Sequence, residues 1–123
     1  MQKRILVVDD NQAVRLIVRS TFEMQGPYIV HEACDGVDAV EKAGSLNPDV
    51  VIMDLSMPRM HGLEASRKLK RDHPPVHVVL FTAHKAALTP SEACNAGLDA
   101  VVSKSDGLES LLNQVETILQ PVQ

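Results

Sequence analysis

The chain predicts an open α/β fold: a doubly wound parallel sheet of five strands in the order 2-1-3-4-5, with helices on both faces. Three observations predict it. Short apolar runs (Ile5-Leu6-Val7-Val8, Val50-Val51-Ile52-Met53, Val78-Val79-Leu80-Phe81, Ala100-Val101-Val102) alternate with stretches of helical periodicity, the pattern of βαβ units joined by right-handed crossovers. The runs are continuously apolar, as suits strands buried on both faces. Each is followed at once by polar residues: Asp9-Asp10, Asp54, Thr82 and Ser103-Lys104. Those residues gather beyond the carboxyl edge of such a sheet, where open α/β folds bind ligands, and Asp9, Asp10 and Asp54 flank the switch point between the first and third strands.

The first strand spans Arg4 to Val8. A helix follows Asn11, with Ala13, Leu16, Ile17 and Met24 at helical spacing as its apolar face, and Gln25-Gly26-Pro27 stops it. The second strand, Tyr28 to Glu32, is more polar and is expected at an edge. The second helix runs from Gly36 to about Leu46 and carries Ala39, Val40 and Ala43 on one face. Asn47-Pro48-Asp49 forms a turn in which proline fixes φ. The third strand is Val50 to Met53. The loop from Ser56 to Gly62 opens onto a third helix that continues through Arg71, where His73-Pro74-Pro75 ends it. The fourth strand covers Val76 to Phe81. A weakly amphipathic fourth helix is expected over Ala86 to Ala96, with Pro90 in its first turn or splitting it, and Gly97 closes it. The fifth strand, Ala100 to Ser103, precedes a fifth helix whose core face is Leu108, Leu111, Leu112, Val115, Ile118 and Leu119.

At 123 residues the chain suits one domain, over residues 1–120, with 121–123 as a C-terminal tail or linker stub. A formal net charge of −4 argues against direct nucleic-acid binding. Cys34 and Cys94 lack metal-ligand spacing and are expected as reduced, partly buried thiols. His31, His61, His73 and His77 lack paired ligand spacing and are expected at the surface or satisfied. No apolar stretch is long enough to span a bilayer and no signal-peptide pattern opens the chain, so a cytoplasmic protein without a membrane role is expected.

Three carboxylates held within a few ångströms cannot all remain ionised without compensation: either one gains a proton or a cation neutralises them. Mg²⁺, a hard cation that keeps waters for incoming phosphate oxygens, suits them. Lys104 adds a second positive charge and Thr82 a hydroxyl donor. In that setting Asp54 can act as a carboxylate nucleophile toward an activated phosphoryl group. A single aspartate after a strand is commonly a helix cap or a solvated loop residue. Five complementary groups at one sheet edge are not explained that way.

Val7-Val8-Asp9-Asp10-Asn11, Met53-Asp54-Leu55-Ser56-Met57-Pro58, Thr82-Ala83 and Lys104 resemble the receiver domain of two-component response regulators, including chemotaxis-type single-domain regulators. The resemblance covers essentially the whole chain and implies the flavodoxin-like (βα)5 fold. It implies that Asp54 is the phosphoacceptor, that Asp10, Asp54 and the Ser56 carbonyl ligate Mg²⁺ (or Mn²⁺), and that Asp9 holds metal-bound water. Thr82 is then the switch hydroxyl and Lys104 the phosphate-contacting lysine. A histidine kinase or phosphotransfer protein is implied as donor. A downstream target or output domain would meet the face formed by the fourth helix, fifth strand and fifth helix, and homodimerisation on phosphorylation is a further implication.

The chain departs from the family pattern at Val101, where an aromatic ring usually stands, and at Ser105, where proline is frequent. For Ser56 and His84, two residues beyond Asp54 and Thr82, the resemblance implies side chains that flank the attacking water's path and influence the lifetime of the acyl phosphate, small Ser56 leaving the path open and His84 modulating it, unless they are only solvated loop residues. The chain fits both a stand-alone regulator and the receiver portion of a longer one. A signalling module rather than a turnover enzyme is expected. The rival, an aspartyl-phosphate hydrolase resembling the haloacid dehalogenase family, needs a second aspartate where Ser56 stands.

Overall fold

The structure, a computed structural model, describes residues 2–120; the tail expected at 121–123 lies outside them. Five parallel strands form one sheet, β1 (Lys3–Val8), β2 (Tyr28–Ala33), β3 (Val50–Met53), β4 (His77–Thr82) and β5 (Ala100–Ser103), in the order β2-β1-β3-β4-β5. The helices are α1 (Gln12–Gln25), α2 (Gly36–Leu46), α3 (Gly62–Asp72), α4 (Pro90–Asn95) and α5 (Gly107–Leu119). The predicted fold class and strand order stand, and β2 is an edge strand.

The strands divide their side chains between two cores because successive residues point to opposite faces. Leu6, Val8, Val51, Met53, Val78 and Leu80 pack under α2, α3 and the chain before β5, with Ala39, Ala43, Ala65, Leu69 and Ala96. Ile5, Val7, Val50, Ile52, Val79 and Phe81 pack under α1 and α5, with Val18, Phe22, Leu111, Leu112 and Val115. A sheet covered on both faces leaves its two ends open, and the residues that follow β1, β3 and β5 lie at the carboxyl end.

Three expectations are corrected. The buried face of α1 is Val18 and Phe22 with Val14 beside them, whereas Leu16, Ile17 and Met24 are exposed at 59%, 52% and 84%, and Ala13 is exposed too. The helix carries two apolar lines. Asn11 caps it by accepting from the Ala13 and Val14 N–H groups, and Arg15 reaches back to the Asp9 carbonyl at 2.6 Å. That phase turns the line bearing the aromatic Phe22 inward, where it meets Tyr28 edge-to-face at 5.5 Å.

The fourth helix is not a continuous element over Ala86 to Ala96. A 3-10 turn at Lys85–Ala87 comes first, and α4 starts only at Pro90, which lacks an N–H and takes the first helical position. Thr89 and Glu92 form a reciprocal capping box there. Both cysteines are free and exposed rather than partly buried.

Candidate functional site

Four strand ends build the site. β1 and β3 are paired with Val8 opposite Met53, so the residues that follow, Asp9 and Asp54, emerge side by side. Thr82 is the last residue of β4, and Lys104 follows β5 in a 3-10 turn, Lys104–Asp106. Carboxylate oxygens of Asp9, Asp10 and Asp54 all lie within 4.8 Å of one another. Asp9 and Asp54 are buried, at 3% and 8% exposure, and Asp10 is exposed.

Each buried carboxylate is held twice. Asp9 Oδ1 accepts the Asn11 N–H at 2.9 Å and Asp54 Oδ1 accepts the Leu55 N–H at 2.7 Å. Their Oδ2 atoms share the Lys104 ammonium, whose Nζ donates at 3.0 Å to Asp9 and 3.3 Å to Asp54. One ammonium facing three carboxylates leaves the group with two uncompensated negative charges when all are ionised. Burial pushes the Asp9 carboxyl above its ordinary range, although the Asn11 N–H and Lys104 oppose it. Burial alone would lower Lys104, but its hydrogen bond to Asp9 and the charges of Asp9 and Asp54 raise it, so it stays firmly cationic. A divalent cation closes the deficit, and a set of hard oxygen donors with an open, solvent-facing side at Asp10 fits Mg²⁺.

Thr82 is fully buried, and its Oγ1 accepts the His84 N–H at 3.0 Å, leaving the hydroxyl proton free to donate. Ser56 is exposed on the β3–α3 loop, whose base is closed by the Gly62 N–H donating to the Leu55 carbonyl at 2.8 Å. Only glycine fits there, since a Cβ on Gly62 would lie 2.5 Å from the Asp54 carbonyl oxygen. Ser56 and His84 line the same cleft of about 310 Å³, together with His61, Leu88 and Glu92. Val101 is half-buried against the core beneath α2 and α3.

Sequence reasoning missed three supporting residues. Arg15 holds the Asp9 carbonyl while its Nε pairs with Glu32 at 3.0 Å. His61, expected as a surface or satisfied histidine, is exposed and caps α3, its Nδ1 accepting the Leu63 N–H at 3.3 Å. Its place directly before a glycine and a helical run was the available signal. Arg59 pairs with Asp35, 24 residues away, and no short-range pattern announces that contact.

The family model for the response regulator receiver domain matches residues 5–116. The chain is 38% identical over 116 residues to response regulator GacA of Pseudomonas viridiflava, covering 94% of this chain and 54% of that protein. It therefore spans about half the length of the curated relatives it matches. Among solved structures, a LuxR-family two-component response regulator from Aurantimonas superposes with TM-score 0.89 at 32% identity, covering 97% of this chain and 86% of that one. Response regulator protein TrrA from Thermotoga maritima, solved in complex with Mg²⁺-BeF, superposes with TM-score 0.87 at 31% identity over 95% of this chain and 99% of that one. The acidic strand ends, the bridging lysine, the 2-1-3-4-5 sheet and a family match over nearly the full chain agree, and the chain belongs to the receiver domains of two-component response regulators.

Proposed function

We propose that the protein accepts a phosphoryl group from a histidine kinase or phosphotransfer protein onto Asp54 and so switches a partner-binding face formed by α4, β5 and α5. The observation that carries this is the cluster of Asp9, Asp10 and Asp54 oxygens within 4.8 Å, bridged from the far side by Lys104. Asp10, Asp54 and the Ser56 carbonyl would hold Mg²⁺, or Mn²⁺ in its place, with Asp9 holding its water. The bound cation supplies neutralisation of the phosphoryl oxygens.

The remaining chemistry belongs to the chain. An Asp54 oxygen attacks phosphorus, the bond from phosphorus to the donor's imidazole nitrogen breaks, and the electron pair stays on that nitrogen. Transfer of this kind demands in-line positioning and charge compensation more than covalent assistance. Lys104 is already 3.3 Å from the Asp54 carboxylate and can follow the new negative charge outward. The product carries about −1.5 to −2 charge, which draws the Thr82 hydroxyl toward it. Because Thr82 Oγ1 also holds the His84 N–H, its movement pulls on the segment leading to α4. The protein acts as a signalling element and not as a turnover enzyme.

The half-length match to relatives supports the reading that this chain is the receiver portion of a longer regulator with an output domain. No helix among the described residues is long and apolar enough to cross a membrane, which accords with action in the cytoplasm. Dimerisation on phosphorylation is a further part of the proposal. Incubation with Mg²⁺ and acetyl phosphate followed by intact-protein mass spectrometry tests the central step. The expected result is one added phosphoryl group, absent from Asp54→Asn. An unchanged mass with Mg²⁺ bound refutes it.

A further inference from the structure

The loop between β3 and α3, which carries Ser56, is tied at its tip to the turn between β2 and α2. Arg59 sits there with φ 66°, a left-handed conformation that favours glycine. Its guanidinium grips Asp35 with both prongs, Nε to Oδ2 at 2.7 Å and Nη2 to Oδ1 at 2.9 Å. Asp35 is buried and is also the cap of α2, accepting the Asp38 N–H at 2.9 Å. The next residues of each segment are in contact as well. A Cβ on Gly36 would lie 2.7 Å from the Met60 carbonyl oxygen and 2.8 Å from its Cβ. Hence the loop is fixed at its base by Gly62 on Leu55 and at its tip by Arg59 and Met60 on the start of α2, with Ser56 suspended between.

Exposed ion pairs generally contribute little, but a two-pronged guanidinium on a buried, already hydrogen-bonded carboxylate is geometrically specific. An arginine held in a backbone conformation that glycine adopts without strain points to a purpose in the side chain. We propose that Arg59 is a positioning residue for the cation site: its grip on Asp35 holds the β3–α3 loop so that the Ser56 carbonyl stands ready beside Asp54. This rests on the reading of the site given above. Groups that orient metal ligands without touching the metal commonly change affinity by about 10–100-fold when removed.

The test is titration calorimetry with Mg²⁺, paired with thermal melts in EDTA and the rate of acetyl phosphate labelling. Arg59→Gly suits the left-handed backbone and preserves the fold. Asp35→Asn keeps the cap of α2, because asparagine caps as well as aspartate, while removing the charge. Both are expected to weaken Mg²⁺ binding about tenfold, with labelling at saturating Mg²⁺ close to wild type and melting in EDTA little changed. Arg59→Lys, which keeps the charge but not the fork, falls between. A merely structural role would move the melt and leave the Mg²⁺ titration alone. Wild-type Mg²⁺ affinity in Arg59→Gly and Asp35→Asn overturns the positioning role while leaving the phosphoacceptor reading intact. Absence of Mg²⁺ binding and labelling in the wild type overturns both.

Discussion

Replacing Lys104 with alanine removes the single ammonium shared by two buried carboxylates, and the structure fixes how large the effect should be. Nζ lies 3.0 Å from Asp9 and 3.3 Å from Asp54. At an effective dielectric constant of about 20, each contact is worth roughly 5 kcal/mol of gross attraction, most of it offset by desolvation. Removing one partner of a fully buried pair costs about 3–5 kcal/mol. Lys104 is a quarter exposed, so water enters more readily than at a sealed site; we expect about 2–3 kcal/mol, measured without metal. For a domain of this size that corresponds to a fall in Tm of roughly 10 °C. Added Mg²⁺ should then narrow the gap to wild type, because the cation restores the missing positive charge and binds the more negative site more tightly. Differential scanning calorimetry in EDTA and in Mg²⁺ reads both effects. Melting equal to wild type in EDTA, or a gap that widens with Mg²⁺, would refute the electrostatic reasoning. The variant should still accept some phosphoryl group at Asp54 with a weakened response.

Asp10→Ala, at the exposed corner of the cluster, should abolish measurable Mg²⁺ binding by calorimetry while leaving the melt in EDTA no lower than wild type, because it removes one of the uncompensated charges. Because His84 and Ser56 line one cleft beside the site, His84→Ala should change the decay rate of the phosphorylated protein; an unchanged half-life removes His84 from the account. Asp99 supplies a pH-dependent contribution. Burial alone would raise its carboxyl, but Lys70 at 2.8 Å, the Val78 N–H at 2.8 Å and nearby His77 hold it below its ordinary value. Its stabilisation is therefore complete above the unfolded value of about 3.9 and is lost as pH falls from there through the lower folded value. Asp99→Ala should cost about 1–2 kcal/mol near pH 6, and denaturant melts should find this difference shrinking below pH 4.

The residues that gather at the candidate site were legible because they sit where apolar runs stop. Strand ends are marked in the sequence by a change in polarity, and the residues after Val8, Met53 and Ser103 are the ones that meet in space. Periodicity was a poorer guide to α1, since two apolar lines run along it and the Asn11 cap, the hold of Arg15 on Asp9 and the contact with Tyr28 together select the one containing Val18 and Phe22. The extent of α4 was overread because Pro90 is compatible both with a kinked helix and with a fresh start, and the capping box of Thr89 and Glu92 decides for the latter. The contacts of Arg15 with Asp9 and of Arg59 with Asp35 depend on the folded chain returning to itself. Hydrophobic patterning carries no record of such pairings.

The shortness of α4 has a mechanical consequence. None of its residues is buried, whereas Ala96, immediately after it, is sealed in the core and its carbonyl receives the Ser66 hydroxyl at 2.7 Å. One end is thus riveted and the other is latched by a pair of hydrogen bonds between Thr89 and Glu92. Swinging the latched end moves Leu88, which packs half-buried against the core beneath α2 and α3, but no fully buried side chain, so this corner can change its outline for a small free-energy outlay. Amide exchange there should outpace that of every other helix.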